Sequence, residues 1–160
     1  MKFFIKRAAR TDFSAFAIFD EKGTEKYFAE FSKSERSRKI IINSETGEAV
    51  KIRCLQLSNF IACSINAGGR KMKILMGASH DGLGCMCYGV NWKIRGNAAT
   101  KCFSIFDVDN SLIASQQKAF CSAETYELNV YSSANELLSI SVAVCINMFN
   151  TVDNPVRQAV

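Results

Sequence analysis

The stretch from Ser133 to Asn150 constrains the fold more than any other part of the chain. It is the most apolar segment and contains neither lysine nor arginine, and within residues 137–149 only two serines and one asparagine are polar. A run of this length falls short of the roughly 20 residues that a helix needs to cross a bilayer. We therefore expect the segment to be buried, with the rest of the chain wrapped around it.

Two kinds of secondary structure compete for this segment. Apolar residues, many of them β-branched, alternate with smaller ones from Leu138 to Met148, which is the period of a strand. Against a strand, Ser133 is followed three residues later by Glu136 just before the apolar run, which is a capping-box signature for the start of a helix. The length also exceeds the usual strand of about 5–6 residues. The pattern alone favours a helix by a small margin.

The chain upstream repeats one pattern, in which a β-rich run is followed by a short turn and a returning run. The predicted strands are residues 2–7, 15–20, 25–31, 38–43, 49–55, 59–66, 71–76, 86–94, 101–107, 112–118 and 125–131. Turn signals recur every 8–12 residues or so, which is typical of an all-β barrel or sandwich. Strands that close around a central helix would enclose a segment that is apolar on all sides.

Composition limits the class of protein. A chain of 160 residues with 48% apolar and 22% charged residues fits one globular domain, residues 1–160, with a core of ordinary size. The net charge of +5 permits attraction to anionic lipid, nucleic acid or acidic proteins. The apolar run at residues 3–5 is too short for a secretory signal. We expect a cytoplasmic protein without a transmembrane segment.

The seven cysteines support the same compartment. Their number is odd, and most of them lie inside apolar, strand-like patterns. Free cysteine packs as a small hydrophobic residue, whereas disulfide frameworks belong to oxidising compartments. The sequence therefore predicts a reducing compartment and no disulfide framework.

Several segments of the chain form a recognisable combination. They are the basic and aromatic residues 2–7, the hairpin of residues 16–23, the strand with Trp92 that ends at residues 95–97, the strands of residues 102–107 and 126–130, and the apolar C-terminal segment. Together these segments resemble the LURP-one-related family of the tubby C-terminal-like superfamily. This resemblance implies a closed antiparallel barrel of about twelve strands around a buried hydrophobic C-terminal helix, residues 133–150. It thereby selects the helix over the strand.

The resemblance also raises the expectation of contact with anionic lipid. The superfamily includes tubby proteins, which are similar to phosphoinositide-binding adaptors, and phospholipid scramblases. A fold does not by itself determine a function. No lipid-binding motif of the family can be placed on particular residues of this chain.

Basic residues supply the candidate binding site. They form a cluster before one strand and same-face pairs on three others, because alternate residues of a strand share a face. The candidates are Arg36, Arg38, Lys39, Lys51, Arg53, Lys71, Lys73, Lys93 and Arg95. Together they could bind phosphate, although outward charges more often serve solubility. Tyr88 and Trp92 are predicted on the face opposite Lys93, which argues against nucleic acid.

A second constellation consists of His80, Cys85 and Cys87. Imidazole and thiolate are zinc ligands, but the spacing matches no standard zinc pattern and no second ligand pair is evident. The alternative reading is a loop histidine followed by core or turn cysteines. No cofactor and no catalytic residue is predicted.

These observations lead to a non-enzymatic binding or adaptor barrel. Its expected partner is an anionic phospholipid headgroup or another protein. Two alternatives from other classes stay open, a small metal-binding or thiol-dependent enzyme that uses His80, Cys85 and Cys87, and a structural domain that associates with itself. The sequence does not specify the oligomeric state.

Overall fold

The computed structural model describes residues 1–10, 13–33, 37–57, 60–79, 82–97, 100–120 and 124–149. Twelve strands precede a short helical turn and one α-helix. The strands are β1 (Lys2–Arg10), β2 (Phe13–Asp20), β3 (Glu25–Lys33), β4 (Ser37–Ser44), β5 (Gly47–Gln56), β6 (Phe60–Ala67), β7 (Arg70–Ser79), β8 (Gly82–Tyr88), β9 (Lys93–Asn97), β10 (Cys102–Phe106), β11 (Leu112–Lys118) and β12 (Thr125–Val130). A 3₁₀ turn, Ser133–Asn135, leads into α1, Glu136–Phe149.

All twelve strands form one antiparallel sheet in the order β8-β7-β6-β5-β4-β3-β2-β1-β12-β11-β10-β9. The first strand pairs with the last, with Phe3 opposite Leu128, so β1 joins the two halves of the sheet. The two edge strands, β8 and β9, lie next to each other without a hydrogen-bonded ladder among their described residues. The sheet is thus a nearly closed barrel, which confirms the predicted fold class.

Helix α1 occupies the interior of the barrel. Every side chain from Leu138 to Met148 is at most 1% exposed, including the polar ones, and the helix contacts β5, β6, β11 and β12. Residues on successive faces of a helix point in all directions, so complete burial requires protein on every side. The predicted central helix is confirmed, and its apolar surface forms the core together with the inward side chains of the strands.

The start of the helix differs from the prediction. Ser132 is the N-cap of the 3₁₀ turn and makes no side-chain capping bond, and α1 begins only at Glu136. The carboxylate of Glu136 instead accepts a 2.6 Å hydrogen bond from the hydroxyl of Tyr27 on β3. Arg70 donates to the carbonyl oxygen of Ala134 at 2.9 Å. Barrel side chains therefore take the place of the capping box, a long-range contact that local spacing cannot reveal.

Three of the polar side chains inside the barrel have specific partners, whereas the buried Ser139 hydroxyl has none among the described residues. Gln116 and Asn147 exchange two hydrogen bonds through their side-chain amides, at 2.7 and 3.1 Å, between β11 and α1. The hydroxyl of Ser141 donates to the carbonyl oxygen of Leu137 at 2.6 Å. Because an unpaired buried amide costs about 1–3 kcal/mol, the Gln116–Asn147 pair also favours one rotational setting of the helix.

One predicted strand is two strands in the structure. Residues 86–94 were expected to run straight, but β8 ends at Tyr88 and β9 begins at Lys93. The chain bends at Gly89, whose φ of +88° is in the left-handed region, and a Cβ there would lie 2.7 Å from the carbonyl oxygen of Lys71. Tyr88 is consequently 47% exposed whereas Trp92 is buried, so the two rings do not share a face as predicted.

The structure also corrects the expectation about the cysteines. Cys54 on β5 and Cys63 on β6 are joined in a disulfide, and their Cα atoms are 4.1 Å apart because the strand register places them directly opposite each other. Cys85, Cys87, Cys102 and Cys145 are free thiols. The cysteine spacing alone could not show this pairing, which depends on the register of two neighbouring strands.

A charge on the buried helix should unfold the protein. We expect Leu138→Asp or Val144→Asp to lower the free energy of unfolding by more than about 3 kcal/mol, since the carboxylate would be buried without a partner. Urea unfolding followed by circular dichroism measures the change. Val108→Asp, at a side chain that is 67% exposed, is the matched control and should change stability little. Equal stability of the helix variants and the control would contradict the central position of α1.

Candidate functional site

The outer face of β5, β6 and β7 carries two rows of polar and basic side chains. Along β5 and β6 buried and exposed residues alternate, so every second side chain points to solvent. The strand register then aligns these outward residues across the sheet. One row is Lys51, Asn66 and Lys71, and the next row is Arg53, Ser64, Lys73 and Tyr88.

These rows line a groove with a volume of about 920 Å³, called here the β5–β8 groove. Its lining consists of four cations, three polar or aromatic side chains and several apolar groups. The lining residues are Lys51, Arg53, Ala62, Ser64, Ile65, Asn66, Lys71, Met72, Lys73, Leu75, Tyr88 and Gly89. Hydroxyl and amide groups between cations are suited to hydrogen bonds with the oxygens of an anionic group.

The groove is strongly positive. Lys51 forms a 3.2 Å ion pair with Glu48, and both side chains are largely exposed. Within the described part of the chain, Arg53, Lys71 and Lys73 have no acidic partner. Exposed ion pairs are worth little, so even Lys51 stays available to a ligand. Adjacent cations without counter-charges create a local field that attracts anions.

The structure brings together only part of the predicted basic set. Lys39 lies opposite Arg53 on β4 and extends the second row of the groove. Lys93 and Arg95 are exposed on β9, across the gap between the sheet edges, and the Arg95 guanidinium lies 5.8 Å from the centre of the Phe106 ring. They do not line the groove. Arg36 lies outside the described residues.

Arg38 points the other way. It shares the inward face of β4 with Ile40 and Ile42, and it is partly buried. Its Nη1 atom is buried and has no hydrogen-bond partner in the described structure. Arg38 is two residues before Ile40, so strand alternation places both side chains on the inward face. This signal in the sequence could have distinguished Arg38 from the outward cations.

An apolar row beside the cations was missed in the sequence. Leu55, Ala62, Leu75 and Met86 lie opposite one another across β5 to β8, directly next to the row that contains Arg53. Leu55 is 52% and Met86 is 59% exposed, which is high for large apolar side chains. Phe60, 39% exposed, continues this surface beyond the apolar row. The sequence shows that these residues are an even number of positions from the cations on their strands, which predicts that they face outward. It does not show that they lie side by side, because that depends on the register between strands.

Cys85 and Cys87 lie on β8 with their side chains on the same, inward side, since the intervening Met86 is exposed. Hydrogen bonding from the Cys85 thiol lowers the pKa of Cys87, against the opposing effect of burial. The same hydrogen bond, together with burial, raises the pKa of Cys85. Cys87 is therefore the more acidic of the two thiols. His80, the third member of the predicted metal constellation, lies outside the described residues.

Comparison with models of protein families identifies a family for this chain. The model of the family described as LURP-one-related matches residues 1–147, which is most of the chain and all of its described strands. A comparison with curated proteins found no match. Among the described helices, none has the length and apolar character needed to cross a membrane.

The acidity of Cys87 is open to a direct test. We expect Cys85→Ala to raise the pKa of Cys87, because the hydrogen-bond donor is lost, and therefore to slow its alkylation several-fold near neutral pH. The pH dependence of iodoacetamide labelling, resolved by peptide mass spectrometry, measures this change. Cys102→Ala, on β10, should leave the Cys87 profile where it is. An unchanged profile in Cys85→Ala would show that Cys85 does not tune its neighbour.

Proposed function

Since this chain belongs to the LURP-one-related family, we propose that it is a non-enzymatic binding barrel whose β5–β8 groove recognises an anionic phospholipid headgroup at a membrane surface. One observation carries the proposal. Two rows with four outward cations lie side by side with an outward apolar row on one continuous face of the sheet.

The cations account for headgroup recognition. Arg53 can offer two parallel N–H donors to a phosphate, while Lys71 and Lys73 supply mobile positive charges from the neighbouring strand. Each cation near an anionic membrane surface contributes about 1 kcal/mol, so a handful of them gives a weak, salt-sensitive association. A groove of about 920 Å³ has room for a phosphorylated headgroup.

The apolar row favours a lipid over a soluble anion. In a protein that binds only free phosphates, the exposed side chains of Leu55 and Met86 would stay in water, which is unfavourable for apolar groups. Contiguous exposed apolar groups often mark a membrane or protein contact. At a membrane the same side chains enter the boundary between headgroups and acyl chains while the cations meet the phosphates. The apolar row lies beside the basic rows, just as the acyl-chain boundary of a membrane lies beside its layer of phosphates.

Charge reversal in the groove should abolish vesicle binding. We expect the wild type to bind vesicles of phosphatidylcholine with phosphatidylserine and a phosphoinositide at low salt, and to dissociate as salt is raised. Arg53→Glu combined with Lys73→Glu should weaken binding at least about tenfold, because two attractions become repulsions. Co-sedimentation with the vesicles measures the bound fraction.

The matched control is Lys22→Glu combined with Lys118→Glu, which changes the net charge equally at exposed positions outside the groove. It should retain most of the binding. Equal losses in both double variants would mean that net charge, not the groove, determines binding. No binding of the wild type at low salt would refute lipid recognition, and binding of an acidic peptide instead would identify a protein partner.

The apolar row is tested separately. Leu55→Ser combined with Met86→Ser should reduce vesicle binding several-fold but leave the affinity for soluble inositol trisphosphate, measured by calorimetry, nearly unchanged. Val108→Ser, at an exposed apolar side chain on another surface, is the control. Equal loss for vesicles and for the soluble headgroup would show that these side chains shape the groove and do not enter the bilayer.

A further inference from the structure

Three cysteines converge inside the barrel from three separate elements. Cys54 on β5, Cys63 on β6 and Cys145 on α1 are each at most 2% exposed. Their sulfur atoms all lie within 4.8 Å of one another. This three-sulfur cluster lies on the side of the sheet opposite the β5–β8 groove and shares no residue with the groove lining.

In the oxidised state the Cys54 and Cys63 sulfurs are bonded to each other, and the Cys145 sulfur lies within 4.8 Å of both. A metal–sulfur distance of about 2.3 Å in a trigonal plane requires sulfurs about 4 Å apart, so the Cys54 and Cys63 sulfurs must separate after reduction before one ion can bind all three. No carboxylate or imidazole of the described residues joins the cluster. An all-thiolate, water-excluded set selects soft ions over Mg²⁺ or Ca²⁺. Three ligands without a fourth suit a monovalent d¹⁰ ion such as Cu(I) better than tetrahedral Zn²⁺.

The charge environment also fits a bound ion. Three thiolates around a monovalent cation carry a net negative charge, which is costly in an apolar interior unless a cation is near. Arg38 faces inward on β4, is the direct cross-strand partner of Cys54, and has a buried Nη1 without a hydrogen-bond partner in the described structure. A positive group at this register position offsets part of that charge.

We propose that Cys54, Cys63 and Cys145, once the Cys54–Cys63 disulfide is reduced, bind one Cu(I)-class ion as three thiolates. Two small-molecule thiols of the glutathione class supply the two electrons and two protons and leave as their own disulfide. Each cysteine that then ligates the ion releases its proton. The Cys54–Cys63 disulfide with a free Cys145 thiol, and the metal-bound trithiolate, are two alternative states of the same three sulfur atoms.

The experiment uses the full chain, reduced anaerobically with a phosphine that is then removed. Cu(I) is added with a coloured chelating competitor, and retained copper is counted by mass spectrometry. We expect about one copper per chain in the wild type and in Cys102→Ser, a free thiol outside the cluster. Cys145→Ala should lower the apparent affinity at least tenfold. Circular dichroism of each ion-free variant checks the fold, and Cys63→Ser replaces Cys145→Ala if the latter does not fold.

Several results would overturn the proposal. The wild type could lose all copper to the competitor, or Cys145→Ala could retain copper as well as the wild type does. A Cys54–Cys63 bond that resists reduction in the folded protein would also refute it. Loss of copper in Cys85→Ser combined with Cys87→Ser, but not in Cys145→Ala, would place the ion at the β8 thiols instead.

Discussion

The rest of the structure depends on the complete enclosure of α1. The side chains from Leu138 to Met148 are buried around the whole circumference of the helix and leave no face for solvent. Two packed layers would cover such a helix on two sides only, whereas a sheet that curls back toward its own first strand covers it on all sides. The barrel is consequently the arrangement in which both the helix and the inward faces of the strands lose their contact with water. The Gln116–Asn147 amide pair and the Tyr27–Glu136 hydrogen bond then favour one position and one rotation of the helix inside the barrel.

Because the helix is enclosed, the two faces of each strand have different roles. On β5 and β6, inward residues build the core and the three-sulfur cluster, while their sequence neighbours build the β5–β8 groove. Cys54 follows Arg53 directly, and Ser64 follows Cys63. The bond between the two cysteines thus joins two of the strands whose outer faces line the groove. A change in strand spacing at the sulfurs would reach the anion-binding side chains through a single peptide unit.

Much of this architecture was predictable because it depends on local periods. Turn residues located most strands, and alternation placed Lys51, Arg53, Lys71 and Lys73 on the outer face. The helix needed the family resemblance, since its β-branched alternation fits a strand equally well, and the capping box suggested for it does not form. What local patterns could not supply is the register between strands. Register determines that Leu55 and Met86 share a row, that Cys54 meets Cys63, and that Arg38 lies opposite Cys54.

The order of the elements has a consequence for biosynthesis. The helix that fills the barrel follows all twelve strands in the chain, and β1 is hydrogen-bonded to β12. A ribosome therefore releases nearly every strand before the segment that covers their apolar faces exists, and β1 must wait for a partner more than a hundred residues away. Such distant pairings slow folding and expose strand edges in the meantime. The strands that emerge first should thus keep exposed edges and apolar faces until α1 has left the exit tunnel.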